Sequence, residues 1–393
     1  MLMSSNDQYD VIVVGAGPAG SMTAKVAAEN GLSVLLIEEH KKIGEPLQCG
    51  EFMPSSSQMK LLLPNAPNHD KTFFYPDSII KTKIEKIRIY GPKESFWEFD
   101  FDGYVIDRPL FDEYLAKKAL EAGAEIITGK RVVDVSLHSV TLSDTTKLNA
   151  KVIVGADGPA SIVARKLNYP HYQKNPNLFA SAVEYQLDNV TVEPNVVEMY
   201  FGSKVAPGGY AWIIPKSSNV ANVGLGLRAT FKKQGHTLFD YLNFFIRNNS
   251  FSSSKVKNGN IIRKIAGSVP VGGPLKRTWS TSSLLVGDAA GFVMATNGGG
   301  VPTALVGGIA AGEAIESHIN DTLSLEYYET LWKKYMGNEL ENALKLREMM
   351  DIAMKRDTLF EKALRLLGTN AMCEIIMCKI PKRLRLIAKI LRK

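Results

Sequence analysis

The sequence predicts an α/β protein in which a parallel-sheet domain is interleaved with an antiparallel β-sheet domain and followed by a helical C-terminal region. Three observations support this prediction. The N-terminal segment alternates strand, turn, helix and strand, residues 169–269 are rich in strand-forming residues and turn signals, and helix-forming residues dominate after residue 320. A chain of 393 residues is long enough for two or three such domains.

The N-terminal segment contains the elements of a βαβ unit. Residues 9–14 form an almost continuous apolar run, as expected of a buried parallel strand. A glycine-rich turn follows at residues 15–20, and an alanine-rich helix then ends near Gly31. Residues 33–37 are the second strand, and Glu38 stands directly after it. The unit predicts the start of a parallel sheet.

Later segments return to each domain in turn. Alternating apolar and polar residues between 81 and 101 predict antiparallel strands. Asp107 and Pro109 then mark the start of a helix that Gly123 ends. The predicted boundaries are 1–75, 104–168 and 270–320 for the parallel-sheet domain, 76–103 and 169–269 for the β-rich domain, and 321–393 for the helical region with a basic tail.

The net charge of +7 is concentrated at the C-terminus. Residues 379–393 contain seven basic side chains and no acidic one, so the rest of the chain is neutral. One basic tail predicts one electrostatic contact and argues against a nucleic-acid partner. Leu384, Ile387, Ala388 and Leu391 recur at helical spacing, so we expect a basic amphipathic helix that contacts an anionic membrane surface. A helix packed on its own protein, or half of a dimer interface, is the alternative.

Composition also bears on location and on metal binding. Residues 1–8 are polar and show no secretion signal, so we expect a cytoplasmic protein with peripheral contact to the inner face of the cell membrane. Three cysteines cannot form a disulfide framework, and no metal site is predicted. The uncharged run at residues 289–312 is long enough to span a bilayer, but its seven glycines and Pro302 favour a Gly-rich loop and a buried helix.

Gly15, Gly17 and Gly20 form the pattern G-x-G-x-x-G between the first strand and the first helix. In a dinucleotide-binding turn the first glycine permits the tight turn, the second lets the backbone approach a pyrophosphate, and the third lets the helix pack closely on the strand. The helix N-terminus offers free N–H groups to phosphates. Glu38 stands where a carboxylate can accept hydrogen bonds from ribose hydroxyls. The pattern predicts a dinucleotide site without separating FAD from NAD.

Three later segments resemble those of the p-hydroxybenzoate hydroxylase-like flavoproteins. Residues 155–158, GADG, resemble the GxDG segment of that superfamily. Residues 285–290, LVGDAA, resemble its second flavin motif, whose aspartate, here Asp288, binds the ribityl chain. Arg108 begins RPLFD and resembles the arginine of an R-x-x-F-D segment that lies near the flavin. The resemblance implies FAD as cofactor and a Rossmann-like FAD-binding domain.

Within that superfamily the chain resembles the geranylgeranyl reductases, including archaeal enzymes that saturate the isoprenoid chains of membrane lipids. Residues 46–51, PLQCGE, resemble their PxxCGE motif, and residues 210–215, YAWIIP, resemble their YxWxFP motif with Ile214 in place of phenylalanine. The resemblance covers roughly residues 8–320. Many relatives have a proline near the position of Ala295, and this departure leaves the lipid specificity open.

The resemblance also implies the residues of the site. Cys49 is the implied catalytic residue, because a thiol facing the flavin can shuttle a proton or tune the ring, although cysteine is often only a small buried side chain. The implied FAD contacts are Gly15, Gly17, Ala19, Gly20, Glu38, Cys49, Gly50, Arg108, Val132, Asp288, Gly300 and Val301. The implied substrate contacts are Tyr210, Trp212 and Pro215.

The implied function is an FAD-dependent reductase that saturates isolated C=C bonds of geranylgeranyl chains, in archaeal-type membrane lipids or their precursors. Because only one dinucleotide fingerprint occurs, we expect a transient electron donor, either NAD(P)H or a ferredoxin-like protein. One alternative is an FAD-dependent monooxygenase or halogenase, although halogenases have W-x-W-x-I-P where this chain has Tyr210. Another is a non-catalytic prenyl-binding protein of the Rab GDP-dissociation-inhibitor type, against which the intact flavin motifs argue.

Overall fold

The computed structural model describes residues 8–93, 95–169 and 176–384. Its strands, in chain order, are β1 (Gln8–Val14), β2 (Val34–Ile37), β3 (Phe52–Pro54), β4 (Ile80–Tyr90), β5 (Phe96–Ile106), β6 (Glu125–Ile127), β7 (Val132–Val135), β8 (Ser139–Leu142), β9 (Lys147–Gly155), β10 (Phe179–Asp188), β11 (Val196–Tyr200), β12 (Tyr210–Pro215), β13 (Ala221–Leu227), β14 (Asn260–Pro270) and β15 (Ser283–Leu285). Its α-helices are α1 (Pro18–Glu29), α2 (Ser56–Leu62), α3 (His69–Thr72), α4 (Arg108–Glu121), α5 (Ile162–Lys166), α6 (Leu238–Arg247), α7 (Ser253–Val256), α8 (Val301–Ile319), α9 (Tyr327–Trp332), α10 (Asn338–Ala353) and α11 (Asp357–Ile376).

The first sheet has the strand order β6-β2-β1-β9-β8-β7, and β15 pairs with the end of β9. Strands β6, β2, β1, β9 and β15 run parallel, whereas β8 and β7 pair antiparallel to their neighbours. The carboxyl ends of the parallel strands share one edge, where ligands of open α/β sheets bind. The glycine turn after β1, Glu38 after β2 and Asp288 after β15 therefore come together at this edge.

The second sheet has the order β14-β10-β13-β12-β11-β4-β5-β3 and is antiparallel except for the pairing of β4 with β11. The predicted fold class is confirmed, because the chain passes between a mainly parallel sheet and a mainly antiparallel one before its C-terminal helices. Strand β3 pairs with β5 in the second sheet, although the sequence placed residues 1–75 in the first domain. A three-residue strand is too short to show a periodic pattern.

Helix α8 packs closely on α1 because glycines face the contact. A Cβ atom at Gly308 would lie 2.8 Å from the carbonyl oxygen of Ala19, and one at Gly312 would lie 2.6 Å from the Cβ atom of Val26. In the described ranges no helix is long and apolar enough to cross a membrane. The uncharged run at residues 289–312 forms a loop and a buried helix, as its glycines indicated.

The C-terminal region is helical, as predicted. Helix α11 is interrupted at Gly368, which has a φ of 70°. Ile380 and Leu384 pack against a small core formed by α10 and α11, namely Leu346, Leu367, Ala371 and Ile375. Residues 385–393, which include most of the predicted amphipathic tail, lie outside the described residues. The predicted membrane contact of the tail therefore stays a prediction.

Candidate active site

A cavity of about 490 Å³ is lined by both sheets and by the C-terminal helices. We call its polar part the glycine end, which is lined by Gly17, Ala19, Arg108, Asp288, Gly299 and Gly300. We call its mainly apolar part the sheet end, which is lined by Val183, Glu184, Val197, Met199, Tyr210, Trp212, Ile214 and Ile265. A mainly apolar cavity with a few placed polar groups is typical of a small-molecule site.

The glycine turn is shaped by close packing at two positions and left open at a third. A Cβ atom at Gly15 would lie 2.4 Å from the carbonyl oxygen of Ala156, and one at Gly20 would lie 1.9 Å from the carbonyl oxygen of Gly15. A Cβ atom at Gly17 would meet no described atom within 4 Å. Gly17 therefore leaves the N-terminus of α1, which has no side-chain cap, open toward the cavity.

Glu38 is held beside this turn by hydrogen bonds from the backbone. The N–H of Ala16 donates to its Oε2 at 2.9 Å, and the N–H of His40 donates to its Oε1 at 3.0 Å. The carboxylate is thus fixed next to the turn, but Glu38, like Gly15 and Gly20, is outside the lining of the cavity, and its ribose contact stays a prediction. Val132 is buried at the start of β7, outside the lining of the cavity, and its cofactor contact stays a prediction.

Asp288 provides an available acceptor at the glycine end. Burial raises the pKa of its carboxyl to about 6, although the charge of Arg108 opposes the shift. Its carboxylate has no hydrogen-bond or ion-pair partner in the part of the chain that the structure describes. A Cβ atom at Gly300 would lie 3.2 Å from its Oδ1, and Gly300 precedes the first turn of α8 without a side-chain cap. The Asp288 carboxylate, which can accept hydrogen bonds, therefore lies close to the free N–H groups at the start of α8, which begins at Val301.

Cys49 lies where the two ends of the cavity meet. The N–H of Glu51 donates to its Sγ at 3.2 Å, and the guanidinium of Arg108 lies beside the thiol. Arg108 also forms an ion pair with Asp112 at 3.1 Å. Burial raises the pKa of the Cys49 thiol above its ordinary value, although Arg108 opposes the shift. Cys49 is consequently a neutral thiol at neutral pH.

Glu51 fixes the loop that carries Cys49. Its backbone has a φ of 68°, and its buried carboxylate accepts from the N–H of Arg108 at 3.1 Å. The ammonium of Lys216 and the amide of Asn222 also donate to it, at 2.5 and 2.8 Å. The sequence analysis did not identify Lys216 or Asn222, because neither stands in a motif. Only the tertiary pairing of distant segments brings them to the loop.

Tyr210 and Trp212 lie on one face of β12, as their spacing predicted, with ring centroids 5.7 Å apart. The hydroxyl of Tyr210 donates to the carbonyl of Asn297 at 2.5 Å, and burial raises its pKa to about 12. Both rings line the cavity. Pro215 is buried at the end of β12, outside the lining, and its substrate contact stays a prediction.

Glu184 of β10 is a site residue that the sequence analysis missed. It is 2% exposed and lines the cavity, where the indole N–H of Trp212 donates to its Oε2 at 2.6 Å. Burial raises its pKa to about 8, Glu51 adds to the shift, and the Trp212 and Lys216 contacts oppose it. A single glutamate in an alternating strand usually indicates a solvent-facing position, so the sequence offers no signal for this one.

The glycine end fits a flavin dinucleotide. The open space at Gly17 would admit the pyrophosphate to the N–H groups of α1, and Glu38 would accept the ribose hydroxyls. Asp288 would accept the ribityl hydroxyls, and the N–H groups at Gly300 and Val301 would face the flavin. The pyrophosphate, the ribose, the ribityl chain and the flavin of FAD would therefore each meet a complementary donor or acceptor.

Comparisons with known proteins agree with this arrangement. The family model described as geranylgeranyl reductase catalytic domain matches residues 179–269, and the one described as FAD dependent oxidoreductase matches residues 10–170. A digeranylgeranylglycerophospholipid reductase of Methanocaldococcus jannaschii is 37% identical over 358 residues, which cover 88% of each chain. The two family models together include residues of the glycine end, such as Gly17 and Arg108, and of the sheet end, such as Glu184 and Trp212.

Solved structures support the same relationship. A geranylgeranyl bacteriochlorophyll reductase-like protein of Thermoplasma acidophilum is 28% identical, with a TM-score of 0.84 over 98% of this chain and 99% of that one. A flavin-dependent brominase is 19% identical, with a TM-score of 0.69 over 98% of this chain and 99% of that one, and this likeness shows the fold alone. The chain belongs to the geranylgeranyl reductase family and is an FAD-dependent oxidoreductase.

Proposed function

We propose that the protein saturates isolated C=C bonds of geranylgeranyl chains in archaeal-type membrane lipids or their precursors. The observation that carries this proposal is the continuity of the cavity, which runs from the glycine end into an apolar sheet end beside Cys49. Digeranylgeranylglycerophospholipid, which the relatives' name specifies, has long apolar chains that suit such a lining. A bond of the isoprenoid chain would thus lie next to the flavin.

The residues of the chain bind, orient and shield the reactants. FAD, when bound and reduced, supplies a hydride. The glycine end fixes the cofactor, and the rings of Tyr210 and Trp212 form part of the wall against which an isoprenoid chain would lie. Because an isolated alkene develops cationic character at its tertiary carbon when it is protonated, apolar walls that exclude water would protect that carbon. Cys49 is the proposed catalytic residue at the junction of the two ends.

The electron donor and the membrane contact are further parts of the proposal. A transient donor, NAD(P)H or a ferredoxin-like protein, is consistent with the single dinucleotide fingerprint. The basic tail would hold the protein at an anionic membrane, where its lipid substrate resides. Deleting residues 385–393, which spares the packed Leu384, should reduce sedimentation with anionic vesicles and leave that with neutral vesicles unchanged. Equal sedimentation of both forms with anionic vesicles would remove the tail from the contact.

The function is tested by supplying the lipid to the purified holoprotein. After anaerobic reduction with dithionite, a digeranylgeranylglycerophospholipid should gain two hydrogens per saturated bond by mass spectrometry. A protein that leaves the lipid unchanged but oxidises NADPH with oxygen, or hydroxylates or halogenates an added substrate, would instead support the monooxygenase or halogenase alternative.

A further inference from the structure

Three neighbouring strands place a carboxyl group on the wall of the sheet end. The pairing of β10 with β13 sets Glu184 opposite Gly224, and the pairing of β12 with β13 sets Trp212 opposite the same glycine. A Cβ atom at Gly224 would lie 2.6 Å from Cζ2 of Trp212. The indole therefore lies across the glycine, and its N–H reaches Oε2 of Glu184.

The other carboxyl oxygen of Glu184 belongs to a residue that lines the cavity. Oε1 is buried and has no hydrogen-bond partner within residues 8–93, 95–169 and 176–384. The nearby Lys216 donates to Glu51 instead. An ionised carboxylate with one hydrogen bond and no direct cation is much more costly to bury than a neutral carboxylic acid. The geometry thus favours a proton on Oε1, beside the apolar lining formed by residues such as Ile265.

We propose that Glu184 is a catalytic residue that donates the proton for saturation of an alkene bound at the sheet end. This inference rests on the proposed function. The O–H bond of Glu184 breaks, and the π electrons of the alkene form a C–H bond with that proton. The reduced cofactor, when bound, would supply the hydride for the second C–H bond at the other carbon. The carboxylate of Glu184 then recovers a proton from water.

The other titratable groups of the cavity are less suited to this step. The hydroxyl of Tyr210 has a pKa of about 12 and donates to Asn297, and Cys49 is a thiol whose pKa lies above its ordinary value. Both are weaker acids than a carboxylic acid. Asp288 belongs to the glycine end, and Glu51 accepts from three donors.

The proposal makes a prediction about pH. The groups that face Glu184 are the indole of Trp212, the Cys49 thiol, Glu51 and Lys216. With the pKa of Glu184 at about 8, the carboxyl carries its proton at neutral pH. The rate of saturation should be fully present below that pKa and be lost as the pH rises through it.

The first test compares Glu184→Gln with the wild-type holoprotein. The glutamine oxygen still accepts from Trp212, so the variant should fold with the wild-type FAD content, while the saturation rate should fall about 10²–10⁴-fold and should no longer decline as the pH rises through 8. Glu198→Gln is the matched control, since Glu198 is equally buried in β11, pairs with Lys255 and lies outside the lining. It should retain the wild-type pH profile.

The second test does not depend on activity. The infrared difference spectrum between wild type and Glu184→Gln at neutral pH should contain the C=O band of a protonated carboxylic acid, and Trp212→Phe should shift that band. Absence of the band, or an unchanged rate and pH profile in Glu184→Gln, would overturn the donor assignment alone. A wild-type holoprotein that saturates no geranylgeranyl lipid would overturn the proposed function and the donor assignment with it.

Discussion

The glycine end and the sheet end of the cavity are built in different ways. The glycine turn at the glycine end is built from small residues that lie close in sequence, such as Gly15 and Gly20, and it presents backbone N–H groups. At the sheet end the important groups are the side chains of Glu184 and Trp212, from two strands, which meet across Gly224 of a third. The difference shows that the glycine turn is formed by local structure, whereas the sheet end depends on the register of the sheet.

The largest expected effect is at the glycine turn, where two substitutions should separate folding from binding. Gly20→Val places a Cβ atom against a carbonyl oxygen, so it should destabilise the protein by at least about 1–3 kcal/mol and abolish FAD binding. The valine side chain of Gly17→Val would meet no protein atom but would fill the open space proposed for the pyrophosphate. This variant should therefore fold normally and fail to bind FAD. Thermal unfolding of the apoproteins and the flavin-to-protein absorbance ratio measure both effects. A Gly17→Val protein with full FAD content would show that this turn does not bind the cofactor.

A smaller effect is expected at Glu38. Loss of its carboxylate removes a charge-assisted acceptor worth about 1.5–3 kcal/mol, so Glu38→Ala should weaken FAD binding roughly ten- to hundredfold in a fluorescence titration of the apoprotein. The exposed neighbour Glu39 is the matched control, and Glu39→Ala should bind FAD like wild type. Equal affinity in the two variants would remove Glu38 from the site.

At the sheet end, the stability of the protein should depend on pH through Glu184. Folding raises its pKa from 4.5 to about 8, so its contribution to stability is fully present below pH 4.5 and is lost as the pH rises through 8. Between those values the wild type should lose about 1 kcal/mol per pH unit relative to Glu184→Gln. Thermal unfolding of both holoproteins from pH 5 to 8 measures the difference. If the unfolding temperatures of the two proteins change with pH in the same way, the pKa of Glu184 is not raised by folding.

The smallest expected effect is at the junction of the two ends. Cys49→Ser should retain FAD, because the groups proposed to bind its pyrophosphate, ribose and ribityl chain are at the glycine turn, Glu38 and Asp288, but should alter the rate or the number of double bonds saturated. Cys373, which is partly exposed outside the lining, provides the control variant Cys373→Ser. Product distributions by mass spectrometry compare the two. If Cys49→Ser gives the wild-type rate and products, the role of the Cys49 thiol is only structural.

The fold of the glycine turn was predictable from the sequence, because it follows from local backbone geometry, whereas the FAD contacts of its residues stay a prediction. The turn after β1, the carboxylate of Glu38 and the glycines of α8 are recognisable from short motifs and spacing. Glu184 was not predictable, because its burial depends on a β10–β13–β12 register that no local pattern encodes. Strand β3 was assigned to the other domain for a similar reason, since its pairing with β5 is non-local.

The central claim is that one cavity holds FAD at the glycine end and an isoprenoid alkene at the sheet end. Mass spectrometry of the lipids that co-purify with the protein, before and after dithionite reduction, tests it most directly. We expect a geranylgeranyl lipid whose mass rises by two hydrogens per saturated bond, and no such rise with Gly17→Val. A flavin-containing protein whose bound geranylgeranyl lipid stays unchanged after reduction would contradict the claim.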